Sequence, residues 1–164
     1  MKPSSMKLLN RFRAIIFIFF IVSSVQCSKY HGETEQYSID SPGAGSAVVP
    51  VTASTATAHM VGAYNSNKNT LSGVINWTGL SGAPTAIHFH GPARVGKNNI
   101  QQFTLTKIPA AATGNLTFES VFTESQEGSM IEGLFYYDIH TAAYPNGEIR
   151  GQIILQEYFI IQYS

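Results

Sequence analysis

The sequence is poor in cysteine and in charge. Its 164 residues include one cysteine, which excludes an intramolecular disulfide and every cysteine-rich zinc module. Only 12% of the residues are charged, about half the usual quarter, and the formal net charge is zero. Without a basic stripe to grip phosphates, nucleic acid is excluded as a partner. The 44% of apolar residues suffices for a packed core, so the length predicts one domain and a leader.

The sequence also lacks a long hydrophobic run. The apolar run Ala14 to Val22 spans about nine residues, too few to cross a hydrocarbon layer of about 30 Å, which disfavours a membrane anchor. Small polar residues follow the run, and this order predicts a secretory signal peptide over residues 1–27. Alternatively, Cys27 is the lipidated first residue of a bacterial lipoprotein, although Gln26 is unsuited to that processing. Both interpretations predict a secreted or surface-anchored protein, with four basic residues ahead of the run: Lys2, Lys7, Arg11 and Arg13.

The exported part divides into three segments. It keeps six basic and ten acidic residues, a net charge of 6 − 10 = −4 that suits a soluble protein. Residues 28–47 are polar, aperiodic and rich in Gly, Pro and Ser, and we interpret them as a flexible tether. Residues 48–155 form the predicted domain. Residues 156–164 form a C-terminal extension to which the sequence assigns no role.

The domain alternates apolar and polar residues with a period of two, which is typical of β-strands. Helical spacing is nearly absent, and residues 124–132 read as a polar loop with one helical turn. The number and spacing of the segments predict an all-β, antiparallel sandwich or barrel of about seven to eight strands. The predicted strands are 55–64, 70–78, 84–90, 100–107, 116–123, 134–140 and 148–155.

The last two strands form a hairpin whose register can be predicted. If His140 faces Glu148, then Asp138 lies opposite Arg150, a pair worth about 0.2–1 kcal/mol that sets register more than stability. The core face then carries Phe135, Tyr137, Ile139, Ile149, Gly151 and Ile153. The face predicted to meet solvent carries Tyr136, Asp138, His140, Glu148, Arg150 and Gln152.

Two long segments of the domain carry distinctive motifs, residues 77–93 (WTGLSGAPTAIHFHGPA) and residues 133–153 (GLFYYDIHTAAYPNGEIRGQI). These motifs resemble the two signatures of the chordin-type (CHRD) family. The departures are small: Asp138 stands where Asn is usual, and Tyr144 lies inside the Thr-Ala-Ala loop. The resemblance covers roughly Val48 to Leu155.

The resemblance implies an extracellular module whose general activity is undefined. The family occurs in microbial exported proteins and in chordin-like antagonists of secreted growth factors. The growth-factor role belongs to larger multi-module proteins and is not carried onto a single domain. We therefore expect a non-enzymatic binding or structural protein that contacts an extracellular protein or glycan, and a membrane only through a lipid anchor.

Three histidines suggest a second hypothesis, a metal site. Alternation places His88 and His90 on one side of a strand, about 6.5–7 Å apart, and turns His140 out from the core face of its own strand. A His-x-His pair on a strand, joined by a third histidine, is typical of copper and zinc sites. The alternative needs no metal: the imidazoles hold loops by hydrogen bonds to backbone carbonyls, around Gly91-Pro92 and in the turn after His140.

The segment from Gly79 to Gly91 is also similar to the copper-ligand strand of Cu,Zn superoxide dismutases. This similarity implies His88, His90 and His140 as ligands, oriented by Glu148 or Asp138. Dismutase activity itself is disfavoured, because the exported part lacks a disulfide and the loop after His90 has neither His nor Asp. No GxSxG motif, phosphate loop or exported cysteine nucleophile is present, so an enzyme is the less favoured interpretation.

Two sequons mark candidate glycosylation sites. Asn76-Trp-Thr and Asn115-Leu-Thr are acceptors only if the source is a eukaryote.

Overall fold

The computed structural model describes residues 36–157, in which nine strands surround a single hydrophobic core. One short helix, α1, and a 3₁₀ turn, Gly45–Ala47, complete the described part. The strands are β1 (Gln36–Ala44), β2 (Thr57–Asn65), β3 (Thr70–Thr78), β4 (Pro84–His90), β5 (Gln101–Thr104), β6 (Gly114–Val121), β7 (Phe135–Thr141), β8 (Ile149–Ile153) and β9 (Leu155–Glu157), with α1 at Glu124–Ile131.

The strands form one nearly closed, barrel-like antiparallel sheet. Their order is β5-β4-β7-β8-β1-β2-β3-β6, and β9 pairs with β1 beside β8. The predicted fold class is therefore confirmed. Strands β4 and β7 are neighbours, which brings the two histidine-bearing segments side by side.

The barrel interior is filled by the apolar faces that the alternation predicted. Leu71, Ile75 and Trp77 on β3 are buried, as are Ile87 and Phe89 on β4. This burial turns the even-numbered residues of β4, including both histidines, away from the core, because neighbouring side chains of a strand point to opposite faces.

The predicted register of the closing hairpin is confirmed, but one prediction about its faces is wrong. Asp138 pairs with Arg150, and the core face is buried as expected. The other face is not exposed: Tyr136, Asp138, Glu148 and Arg150 are buried as well. Residues 49–54 and 91–100 cover this face and supply polar partners. The hydroxyls of Thr52 and Ser54 donate hydrogen bonds to Glu148, and the guanidinium of Arg150 donates to the side chain of Asn98.

The interpretation of residues 28–47 as a tether is wrong for its second half. Residues 36–44 form β1, which pairs with β2 along its whole length and contacts β8 and β9. Its small residues follow from close packing: a Cβ atom on Gly43 would lie 2.6 Å from the Tyr137 hydroxyl. Because β1 passes this close to a buried ring, it needs small residues, and its content of Gly and Ser therefore resembles that of a linker.

Smaller differences occur at element ends. The helix has eight residues instead of one turn, β5 is shorter than predicted, and β9 takes in residues of the predicted C-terminal extension. Residues 1–35, with the predicted signal peptide and Cys27, lie outside the described residues. Within residues 36–157 the structure has no helix with the length and hydrophobicity needed to span a bilayer.

Candidate metal centre

Four side chains of types that can bind a metal ion converge on the outer side of β4 and β7. The antiparallel register places His88 opposite Asp138, and His140 opposite Ala86 at the next position on the same face. His90 projects beside them from β4. Alternation along two neighbouring strands thus collects residues that are about 50 apart in the sequence.

The potential donor atoms of these side chains lie within 4.8 Å of one another. His88 Nδ1 is 3.1 Å from His140 Nε2, which is 2.9 Å from Asp138 Oδ1. His90 Nε2 is 3.1 Å from Asp138 Oδ2, and His88 Nδ1 is 3.8 Å from Asp138 Oδ1. The four side chains keep between 10% and 18% of their surface exposed, so the cluster is largely but not fully closed to solvent.

The second nitrogen of two histidines fixes their tautomers. His90 Nδ1 lies 3.0 Å from the carbonyl oxygen of Asn99, and His140 Nδ1 lies 2.9 Å from that of Pro145. A carbonyl oxygen only accepts hydrogen bonds, so each Nδ1 carries the hydrogen and donates it. In the neutral ring, Nε2 then presents a lone pair to the cluster, as a metal ligand requires.

The electrostatics of the cluster favour a cation. Burial alone would raise the pKa of Asp138, but hydrogen bonds and charge from His140 and His90 outweigh burial and hold that pKa below its usual value. Burial lowers the pKa of His140, yet the hydrogen bond to Asp138 and the charge of that carboxylate outweigh burial, so the pKa is raised. At His88, burial and then the charge of His140 lower the pKa. The charged form of Asp138 is therefore favoured, the protonated form of His88 is disfavoured, and the protonated form of His140 is favoured.

The side chains of Tyr136 and Arg150 stack in sequence on the ring of His90. The Tyr136 ring lies parallel to the His90 ring, with centroids 4.8 Å apart and planes within 3°. The Arg150 guanidinium lies 3.4 Å from the centroid of Tyr136 and donates to Asn98 and Gln152. Arg150 thus reaches the cluster through an aromatic ring, whereas we expected it only as the register partner of Asp138.

The family model described as the CHRD domain matches residues 39–153. The chain belongs to the CHRD-domain family. The comparisons with curated proteins and with solved structures find no match. The matched segment of the CHRD domain includes most of β1 and all four side chains of the cluster, and it ends with β8.

Glu148 does not join the cluster of this CHRD domain, contrary to the expectation that it orients a histidine. Its carboxylate is buried and accepts hydrogen bonds from Ser54, from Thr141, and from both the amide and the hydroxyl of Ser81. Burial alone would raise the pKa of Glu148, but these hydrogen bonds outweigh burial and hold the pKa below its usual value. Glu148 therefore fastens the segments that cover the hairpin.

The sequence placed His88, His90 and His140 together, and the structure does so too. It also assigns Asp138 a closer place than expected, as a fourth donor in the cluster. The carbonyl groups of Asn99 and Pro145 were missed, because a backbone oxygen leaves no signal in residue type. The stacking of Tyr136 on His90 was missed because the sequence predicted an exposed hairpin face.

The remaining candidate residues lie elsewhere. Asn76 and Asn115 are exposed and face each other on β3 and β6, where their glycosylation stays a prediction. His59 is exposed and pairs with Asp40 on the outside of β1 and β2. Within the described ranges, the cluster on β4 and β7 is the group of three or more His, Cys, Asp or Glu side chains that the structure gathers.

Proposed function

We propose that this CHRD domain binds one transition-metal ion through His88, His90, His140 and Asp138, as part of an exported binding or structural protein. The observation that carries the proposal is the convergence of three imidazole nitrogens and a carboxylate oxygen within 4.8 Å. Two of the imidazoles also have their second nitrogen committed to a backbone carbonyl, an arrangement usual for ligand histidines.

The spacing of the donor atoms supports the proposal. Zinc bonds to nitrogen and oxygen are about 2.0–2.2 Å long, which puts the donors of a tetrahedral site about 3.3 Å apart. The neighbouring donors here are 2.9, 3.1 and 3.1 Å apart, and the pair of His88 and Asp138 is 3.8 Å apart. All four donor atoms lie within 4.8 Å of one another, so the most widely spaced donors would have to move closer together to bind an ion.

The donor chemistry narrows the choice of metal. Imidazole and carboxylate suit Zn²⁺ and Cu²⁺, whereas thiolate-rich sites select softer ions. Three histidines and an aspartate would fill the four positions of a tetrahedral zinc ion. Hydrolytic zinc keeps one position for water, so a filled site favours a binding or structural role over catalysis.

Export is the second part of the proposal. The order of basic, apolar and small residues in 1–27 is typical of a signal peptide, and CHRD domains are typically extracellular. Mass spectrometry of the secreted protein should give an N-terminus at Ser28. A lipidated Cys27 would indicate a surface anchor instead, and retention of residues 1–27 would contradict export through this segment.

The test of the metal proposal is zinc titration of the purified mature protein. We expect one Zn²⁺ per chain, and at free zinc of 100 times Kd about 2.7 kcal/mol of added stability. Asp138→Asn and His140→Gln should each weaken zinc binding by about 100-fold or more. His59→Gln is the matched control, because His59 also pairs with an aspartate, on an exposed surface outside the cluster, and its zinc affinity should be unchanged.

The competing function is that the histidines only hold loops. It predicts that the protein takes up no stoichiometric Zn²⁺ or Cu²⁺ and shows no thermal shift with either. It also predicts that His140→Gln destabilises the protein equally with and without zinc. Either result would overturn the metal proposal.

A further inference from the structure

We propose that metal occupancy controls the order of the loop from Gly91 to Ile100, called here the 91–100 loop. This inference rests on the proposed metal site and names a regulation of that site. The loop follows directly after the ligand candidate His90 and joins β4 to β5.

The 91–100 loop is the part of the described chain where exposed cations and exposed aliphatic side chains lie closest in sequence. Val95 and Ile100 are 75% and 71% exposed; Arg94, just before Val95, and Lys97, between the two, are also exposed. No acidic residue occurs from Gly91 to Ile108. The tip is a tight turn, in which the amide of Lys97 donates to the carbonyl of Arg94. The loop therefore presents a positively charged surface whose shape depends on how its base is held.

The base of the loop is attached to the metal centre at Asn99. The carbonyl oxygen of Asn99 accepts from His90 Nδ1 at 3.0 Å and from the Tyr136 hydroxyl at 3.3 Å. The same Tyr136 ring stacks on His90. The side chain of Asn99 in turn donates to the carbonyl of Pro92, which ties the end of the loop to its beginning. The imidazole of His90 thus directs Nε2 toward the proposed metal site and Nδ1 toward the carbonyl of Asn99 in the loop.

Metal binding at His90 Nε2 has two effects on the opposite edge of the ring. It fixes the orientation of the imidazole, and it withdraws charge so that Nδ1–H becomes a stronger donor to Asn99. Without the ion, the lone pair of Nε2 faces the carboxylate of Asp138, and this unfavourable contact allows the ring to rotate. The hydrogen bond that holds the loop is then weaker.

The coupling must act in both directions. If the ordered loop strengthens metal binding through His90, metal binding must favour the ordered loop by the same factor. Groups that orient a ligand typically change metal affinity by about 10–100-fold. We therefore expect saturating metal to reduce the population of the open loop by about 10–100-fold.

Trypsin measures this population, because the loop contains the cleavage sites Arg94 and Lys97 and cleavage requires local opening. With Zn²⁺ at ten times Kd, cleavage at these sites should slow by about five- to tenfold. Cleavage after Lys107, which is exposed in the next loop, serves as an internal control for any effect of zinc on the protease. It should keep its rate.

Two matched variants separate the link from metal binding as such. His90→Gln and His88→Gln each remove one donor, but only His90 contacts Asn99. With each variant at ten times its own zinc Kd, His88→Gln should keep the protection of Arg94 and Lys97, and His90→Gln should lose it. Thermal melting of both variants checks that they are folded, and amide exchange of residues 92–99 gives an independent reading.

The outcomes distinguish this inference from the metal proposal. If the protein binds zinc but cleavage at Arg94 and Lys97 is unchanged or never occurs, the loop is not under metal control and the inference fails alone. If zinc does not bind, the proposed function fails first. Equal loss of protection in His88→Gln and His90→Gln would also contradict the link through Asn99.

Discussion

Glu148 shows at the scale of one residue how the covered hairpin face is held. Its two carboxylate oxygens accept four hydrogen bonds from Ser54, Ser81 and Thr141, at 2.6–2.9 Å. Three separate segments of chain meet at this one buried charge. A buried carboxylate is tolerated only when its oxygens are satisfied in this way.

We predict that Glu148→Gln costs about 1.5–3 kcal/mol of unfolding free energy near neutral pH, since hydrogen bonds to a charged group are lost. The folded-state pKa of Glu148 lies below the ordinary 4.5. Its contribution is therefore complete above about pH 4.5 and declines as the pH falls through the folded-state value.

Denaturant unfolding of both proteins as a function of pH checks this prediction. The difference in unfolding free energy between wild type and Glu148→Gln should be constant above the ordinary pKa and shrink below it. A difference that grows on acidification would contradict the assignment.

Two glycines make a matched pair of packing predictions. A Cβ atom on Gly151 would overlap the buried ring of Tyr137, whereas a Cβ atom on Gly128 of α1 meets nothing within 4 Å. Gly151→Ala should cost about 1–3 kcal/mol or more by overpacking, because the hydroxyl of Tyr137 is anchored to Ser41. Gly128→Ala should add about 0.8–1 kcal/mol of helix stability. Thermal melts that rank the two variants in the opposite order would refute the packing argument.

The face on which a single side chain lies was predictable from the alternation of side chains along its strand. Ile87 and Phe89 had to face the core, which sent His88 and His90 to the opposite side. Parity also assigned Asp138 and His140 to one face, but it could not say whether that face meets solvent. The cover comes from residues 49–54 and 91–100, whose approach depends on tertiary contacts such as the bond from Asn98 to the carbonyl of Val49.

At the scale of elements, β1 is the feature that sequence patterns hid. Its residues QYSIDSPGA contain Pro, Gly and five other small or polar residues where a strand usually has branched apolar ones. The structure uses it between β2 and β8, where Ile39 reaches the core and Ser41 accepts from Tyr137. Composition predicts a linker for such a segment, because the packing that selects small residues is not local.

We predict that removal of residues 1–47 prevents folding, whereas removal of residues 1–30 does not. The shorter protein loses nine paired positions with β2 and leaves the edges of β2 and β8 open in the middle of the sheet. Circular dichroism with a thermal melt of each protein is the measurement.

A cooperative melt of the protein lacking residues 1–47, with the same midpoint as the longer protein, would show that β1 is dispensable. The control is the protein lacking residues 1–30, which should unfold cooperatively. We expect the protein lacking residues 1–47 to aggregate and the protein lacking residues 1–30 not to aggregate.

At the scale of the whole molecule, the barrel explains why two distant motifs form one site. Strand order places β4 beside β7, so the histidines of the first motif meet Asp138 and His140 of the second. The sequence predicted an all-β fold and the register of the last hairpin. Apart from that hairpin, it did not predict which strands are neighbours, since pairing between distant strands is decided by the closure of the whole sheet.

The measurement that tests the central claim most directly is zinc K-edge X-ray absorption of the zinc-loaded mature protein. We predict a four-coordinate ion with three imidazole nitrogens and one carboxylate oxygen at about 2.0–2.2 Å. In Asp138→Asn, the fit should lose the carboxylate oxygen or fewer than one ion should remain bound. A spectrum of six water-like oxygens, or one unchanged when His88, His90 and His140 are replaced together, would contradict the account.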